Sequence, residues 1–442
     1  MGRRLLAVVA LAAALSGTAS AAVTRGTTDP LEPQEWWLAA IGATQAVPPG
    51  PGVPITIIDS GTDPTHPEFA NRPNTTFLTP QTVGAPGEYH GTMVASIAAA
   101  PANGVGMVGV YPDAALQIYD ASPQGEVSNL EVIADLDAAS QHCPAVLNLS
   151  LGGATPDPGV HEEILRAVHN GCLVVAAAGN DGTNGNPPTY PADWPHVLTV
   201  AASDQTGAVA SFSTESAAND LTAPGVGIFG AVPLAHDPSG YETLEGTSFA
   251  TPIVSAAAAW VWTVRPSLDA GQVADVLRSS ARDIPPHGFD ISSGWGLLNI
   301  PAALAAPTPP VDPDEPNDDI DQVKPHALFA DGQPALTTTA HASGRIAASL
   351  DEQEDPTDIY RIWVPAHRTV RARVTTGARA AAARIWGPKT VSIDEGLFAR
   401  RRDLKGSSIR AGATGFAAYV QVLLTGAARR TAYVLSVTAA KR

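Results

Sequence analysis

Three short segments of this 442-residue chain carry side chains suited to acyl transfer, namely Asp59, His90 and Ser248. A serine hydroxyl is a poor nucleophile until a neighbouring base takes its proton, and a neutral imidazole does so near pH 7. A carboxylate beside that imidazole fixes its tautomer and stabilises the imidazolium. Singly, each residue has a bland reading. Asp59-Ser60-Gly61 suits a turn, one His among eleven suits a surface or core position, and Ser248 in Gly246-Thr247-Ser248-Phe249-Ala250-Thr251-Pro252 suits a helix N-cap. Their contexts converge. Asp59 ends the apolar run 55–58, His90 opens the Ala-rich segment 90–98, and Ser248 begins an apolar stretch running to about residue 264. Open α/β sheets deliver their functional groups at strand carboxyl ends, and Asp, His, Ser is one of the chain orders in which this triad occurs.

The elements that must hold these groups follow from hydrophobic periodicity. From 55 to about 305, apolar runs at 55–58, 116–119, 145–149, 173–177 and 197–201 alternate with Ala-rich helical segments. Near-continuous hydrophobicity fits strands buried on both faces, so the pattern predicts an α/β fold, a three-layer parallel sheet flanked by helices. Residues 307–319 read PTPPVDPDEPNDD, a Pro- and acid-rich linker with little that could pack. Alternating runs at 359–364, 370–374, 418–424 and 432–437 then predict a small all-β sandwich. The division is a signal peptide at 1–21, a lead-in at 22–54, a catalytic domain at 55–305, a linker at 306–319 and a β-sandwich at 320–442.

Composition bounds the function. Hydrophobic residues make up 44% of the chain, as in a globular protein. Arg3 and Arg4, an apolar stretch at 5–15 and Ala19-Ser20-Ala21 form the pattern of an export signal, too short for a membrane anchor. The apolar segment 249–264 contains Pro252 and reads as a buried helix, so no membrane span is expected. The net charge of −17 is uneven, with 17 Lys+Arg against 8 Asp+Glu in residues 341–442 and acid dominating the rest. An acidic front argues against nucleic acid as a partner.

With these residues in view, the chain resembles the subtilisin-like (subtilase) family over about residues 29–305. The likeness extends to His66-Pro67-Glu68, Leu147-Asn148-Leu149-Ser150-Leu151-Gly152-Gly153, Ala177-Ala178-Gly179-Asn180, Ala223-Pro224-Gly225 and Gly294-Trp295-Gly296. The resemblance implies a serine endopeptidase with Asp59, His90 and Ser248 as its triad, which the export signal would make a secreted one, and a monomer is expected. Asn180 matches the family's side-chain oxyanion donor, with the Ser248 backbone N–H as its partner. Ser150, Leu151, Gly152 and Gly153 match the segment that binds protein or peptide substrates as an added strand. Thr189 falls at the base of the pocket for the residue preceding the scissile bond, where its branched side chain would narrow the space.

No cofactor is implied for the chemistry. Glu68 with Asn103-Gly104-Val105-Gly106 resembles the family's strongest calcium site, while an Asn-Gly turn beside a surface Glu is the other reading. Cys143 and Cys172 each precede a predicted strand, and both a disulfide and two buried thiols fit. The family usually carries an inhibitory propeptide domain, for which the short lead-in leaves no room. Met93, Ser96 and Phe249 stand where the family often has His, Gly and Met. Two other functions share these motifs, a catalytically idle binding protein of subtilase fold and a ligase or cyclase that hands the acyl-enzyme to an amine.

Overall fold

The computed structural model describes residues 28–83, 89–377, 380–393, 406–426 and 428–440. The signal-like segment 1–21 lies outside them. The first half carries seven strands in one parallel sheet, β1 (Ile55–Asp59), β2 (Thr75–Phe77), β3 (Leu116–Asp120), β4 (Val146–Leu149), β5 (Leu173–Ala177), β6 (Val197–Ser203) and β7 (Asn219–Pro224), in the order β2-β3-β1-β4-β5-β6-β7. Around it lie α1 (Trp36–Ala40), α2 (His90–Ala99), α3 (Asn129–Ser140), α4 (Pro158–His169), α5 (Thr247–Val264), α6 (Ala270–Ser280) and α7 (Ile300–Ala305). A hairpin, β8 (Ile228–Ala231) with β9 (Tyr241–Leu244), sits beside the sheet. The apolar runs became strands because both of their faces are covered: Ile55 and Ile57 face one core with α2 and α5, while Ile58 and Leu147 face the other with α3 and α4. Strands β2, β7, β8 and β9 escaped the sequence reading, because Thr75–Phe77, Asn219–Pro224 and Tyr241–Leu244 carry polar residues that break an apolar pattern and Ile228–Ala231 is only four residues long.

Local chemistry sets the helix starts. Ser128 caps α3 and Asp157 caps α4 through side-chain acceptors, and Asp269 with Gln272 forms a capping box at α6. Helix α5 is, among the described residues, long and apolar enough to cross a membrane, and it is buried in the core instead. It begins at Thr247, so Ser248 is its second residue and not its N-cap. The hydroxyl is thereby left free of capping work.

Cys143 and Cys172 are joined in a disulfide just ahead of β4 and β5, whose pairing aligns Val146 with Leu173. A loop of 29 residues is thus closed across two neighbouring strands.

The second half begins with α8 (Ile320–Val323) and continues in two antiparallel sheets. One contains β10 (Gly344–Asp351), β12 (Thr369–Thr376), β14 (Ser408–Arg410) and β16 (Arg430–Ala440), and the other β11 (Thr357–Val364), β13 (Ala381–Trp386) and β15 (Phe416–Leu424). Leu350, Val370 and Leu435 of the first pack against Tyr360, Ile362 and Val420 of the second, which makes a sandwich with one core. The acidic segment before it is no free spacer, since Pro316 and Asn317 are buried and the Ile359 N–H donates to the Asn317 side chain. Arg278 of α6 bonds Asp220 at 2.6 Å and Glu354 of the sandwich at 2.7 Å, and His169 stacks on Phe329 at 3.9 Å, so the two halves are docked.

Candidate active site

Strand β1 lies between β3 and β4, so the chain departs from it in both directions and a crevice opens at its carboxyl end. Asp59 is the last residue of β1 and is buried. Its Oδ1 accepts from the Ser60 N–H at 2.7 Å and faces His90 Nδ1 at 2.7 Å. His90 is the first residue of α2, which can press against the β1 loop because residue 91 is glycine: a Cβ there would lie 2.2 Å from the Gly61 carbonyl oxygen. The Ser60 hydroxyl accepts from the Gly91 N–H, tying the two ends together. Burial works against a charged His90, but the charge of Asp59 and its hydrogen bond outweigh this and raise the imidazole above its ordinary value.

The opposite wall is the start of α5. The ring of Phe249, the residue after half-buried Ser248, lies 5.4 Å from that of His90, so the first turn of α5 adjoins the imidazole. The carbonyl of Ser248 accepts from the Ser150 hydroxyl at 2.8 Å, and a buried relay continues from Asn148 to Ser150 at 3.0 Å and from Ser255 to Asn148 at 2.9 Å. Ser150 thus fastens the backbone of Ser248 to the end of β4. Asn180 follows β5, and its Oδ1 accepts from the Thr247 N–H at 2.9 Å and the Thr247 hydroxyl at 3.0 Å. With the oxygen held there, the Asn180 amide N–H groups turn away from Thr247. The Ser248 N–H, in the first turn of α5, has no acceptor within the helix.

Leu151, Gly152 and Gly153 run out from β4 along the crevice, with Gly152 and Gly153 exposed. Gly153 exchanges both backbone hydrogen bonds with Tyr190. Thr189 packs against this segment: a Cβ on Gly152 would lie 3.0 Å from Thr189 Cγ2, and one on Gly179 2.5 Å from Thr189 Oγ1. Thr189 therefore fills space between the segment 150–153 and the strand-end loop that bears Asn180.

All of Asp59, His90, Ser248, Asn180 and the segment 150–153 thus meet at one edge of the sheet. Sequence reasoning gave no role to Thr247, Asn148 or Ser255. A polar residue inside an otherwise apolar helix, as Ser255 is in α5, was the available signal.

Glu68 and the loop at 103–106 also come together. Buried Glu68 accepts at Oε1 from the Met107 N–H and the Tyr241 hydroxyl, while its Oε2 meets no donor. Asp29 accepts at Oδ1 from the N–H groups of Asn103 and Gly104, and its buried Oδ2 also lacks a donor. The Asn103 side chain is engaged by its own turn, accepting from the Val105 N–H. Burial, opposed by its two hydrogen bonds, pushes Glu68 up to about 7. Two carboxylates with orphaned oxygens beside loop carbonyls fit a hard cation such as Ca²⁺.

A model of the subtilase family matches residues 50–296. Over 260 residues the chain is 36% identical to subtilisin of Bacillus pumilus, a match spanning 58% of this chain and 91% of that protein. It is likewise 36% identical to subtilisin E of Bacillus subtilis (strain 168), over 66% of that protein's length. Among solved structures, the psychrophilic subtilisin-like protease Apa1 from Pseudoalteromonas sp. AS-11 has the same fold, with a TM-score of 0.54 at 22% identity over 61% of this chain and 97% of its own. Sphericase gives a TM-score of 0.51 at 27% identity over 60% and 97% of the two chains.

Proposed function

The chain belongs to the subtilase family and is a serine-type endopeptidase, and from that premise we propose that it is exported and cleaves extended polypeptides through Asp59, His90 and Ser248. The observation that carries the assignment is the 2.7 Å contact of His90 Nδ1 with Asp59 Oδ1 at the carboxyl end of β1, facing the start of α5. Held by Nδ1, the imidazole presents Nε2 to the Ser248 hydroxyl. Ser248 Oγ attacks the peptide carbonyl, its proton passes to His90, and Asp59 balances the imidazolium. The oxyanion is met by the Asn180 amide and the Ser248 N–H. His90 then protonates the leaving amine as the C–N bond breaks, leaving an ester on Ser248. Water, deprotonated by His90, hydrolyses that ester and restores the hydroxyl.

The substrate is held as an added strand by the backbone of Ser150, Leu151 and Gly152, and Thr189 limits the pocket for the residue before the scissile bond. A Ca²⁺ held by Glu68, Asp29 and the loop at 103–106 would brace the fold and take no part in the chemistry. Export rests on the signal-like segment 1–21 and on the likeness to subtilisins.

Labelling by a fluorophosphonate probe, compared between the natural chain and Ser248→Ala and followed by casein digestion, tests the reading. A folded natural chain that takes no label would leave an idle binding protein instead. Labelling with amine-dependent ligation of peptides, without casein hydrolysis, would point to acyl transfer.

A further inference from the structure

The junction between linker and sandwich collects carboxylates that the catalytic chemistry does not use. Asp312, Glu315 and Asp318 come from the linker, and Asp355 and Asp358 from the turn before β11 and its second residue. Ligand oxygens of Asp312, Glu315 and Asp355 all lie within 4.8 Å of one another. Asp358 is fully buried, with its carboxylate in reach of that of Glu315.

Four of the five share one pattern, in which one oxygen is fixed by a protein donor and the other is buried with no donor. Asp312 Oδ2 accepts from the N–H and hydroxyl of Ser349, Glu315 Oε1 from the Asn317 amide, Asp318 Oδ2 from His196, and Asp358 Oδ2 from the Tyr433 hydroxyl. The orphaned atoms are Asp312 Oδ1, Glu315 Oε2, Asp318 Oδ1 and Asp358 Oδ1, with Asp355 Oδ1 as a fifth. Unmatched buried carboxylate oxygens are destabilising unless a proton or cation meets them. Oxygens each oriented by a second donor are what a metal site requires of its ligands.

We propose that Asp312, Glu315, Asp355 and Asp358, with Asp318 beside them, bind a calcium ion that pins the sandwich to the linker. The donor set is all oxygen and mostly carboxylate, which suits a hard cation. Two oxygens bonded to one Ca²⁺ at ~2.3–2.6 Å can lie up to about 5 Å apart, matching the observed spread, whereas Mg²⁺ keeps several waters and takes one or two carboxylates. Asp312, Glu315 and Asp355 also line a cavity of about 560 Å³ between the two halves, which gives an ion a way in. Asp318 bonds His196 at 2.7 Å, so the same ion would brace the sandwich against the parallel-sheet half.

The test uses the full chain carrying Ser248→Ala, so that it cannot digest itself, with Tb³⁺ as a luminescent calcium probe. Tyr433 touches Asp358, and Tyr360 touches Tyr433, so excitation of tyrosine should sensitise bound Tb³⁺, with Ca²⁺ competing. The signal should survive Glu68→Gln, which disables the other cation-fitting site beside its own neighbour Tyr241, and in that background it should vanish on adding Glu315→Gln/Asp355→Asn. Melting adds a sign test. In Ca²⁺ the parent should melt roughly 5 °C above the double variant, and in EDTA the order should reverse, because the variant has shed repulsion. If the double variant does not fold, Asp312→Asn should still weaken Ca²⁺ about tenfold or more. Luminescence unchanged by the junction variants, luminescence lost only with Glu68→Gln, or equal melting with and without Ca²⁺ would overturn the proposal and leave a cluster of protonated carboxyls.

Discussion

The catalytic crevice and the acidic junction both bury carboxylates, and they balance them in opposite ways. At the crevice a single carboxylate, Asp59, meets an imidazole at 2.7 Å and a backbone N–H at 2.7 Å. At the junction five carboxylates crowd together, and among the described residues His196 is the basic side chain that bonds to them. The first site is complete within the chain. The second has its oxygens aimed and its positive charge missing. Buried ionisable residues are therefore read through their partners: a filled pairing prepares a proton transfer, an unfilled one prepares for an ion.

The largest effect should come from the completed site. Ser248→Ala or His90→Ala should lower kcat by about 10⁶-fold, the loss known for the equivalent changes in a subtilisin triad. Casein digestion reads the loss, and calcium-dependent melting should persist. If Ser248→Ala also abolished the calcium shift, the two regions would not be independent.

Asn180→Ala should reduce kcat by about 10²–10³-fold with little change in KM, again a magnitude known from a subtilisin. Thr247→Val removes the hydroxyl that holds Asn180 Oδ1 and should give a smaller loss in kcat at unchanged KM. An unaltered kcat in Thr247→Val would mean that the backbone N–H of residue 247 alone suffices to aim the amide.

Cys143→Ser with Cys172→Ser should lower stability by about 3–4 kcal/mol in denaturant unfolding, from the chain entropy of the loop it closes. Activity per folded molecule should not change, since the bond lies at the amino end of the sheet, away from the crevice.

Titration separates the regions by sign. In the proposed mechanism His90 must be neutral to act as base, so activity should fall as pH drops through its raised pKa. The contribution of the His90–Asp59 pair to stability runs the other way. It is fully present below the unfolded value of 6.5 and is lost as pH rises through the raised folded pKa. For Glu68, raised from 4.5 to about 7, the calcium-free protein should lose stability as pH rises from about 4.5 through 7, because the folded state holds the proton more tightly. Calcium should abolish that slope, and a slope unaffected by calcium would remove Glu68 as a ligand.

The smallest change concerns specificity. Thr189→Gly should widen the pocket and raise kcat/KM for Phe over Ala before the scissile bond by about 10-fold or more, read on a peptide library. Free acceptance of Phe, Tyr and Leu by the natural chain would show that Thr189 does not narrow the pocket.

Much of the crevice was legible because its residues sit at element ends marked by local pattern: an apolar run before Asp59, a helical segment after His90, an apolar helix after Ser248. The strands 55–58 and 173–177 were read to within a residue for the same reason, both being buried on two faces. The relay from Ser255 through Asn148 to Ser150 was not legible. Its members are 107 and 2 positions apart, and nothing local signals the contact. The acid-rich stretch at 307–319 illustrates the opposite error, since composition alone describes a solvated linker whereas Asp312, Glu315 and Asp318 face carboxylates some forty residues on.

Local order thus determined the types of chemistry this chain can do, because triad residues must stand at strand and helix ends and such ends have local signals. Tertiary structure alone decided which hydroxyl holds which carbonyl, whether Cys143 and Cys172 are joined, and where five carboxylates meet. Those outcomes depend on distances across strands and between the two halves, which are set by packing and have no counterpart in sequence spacing.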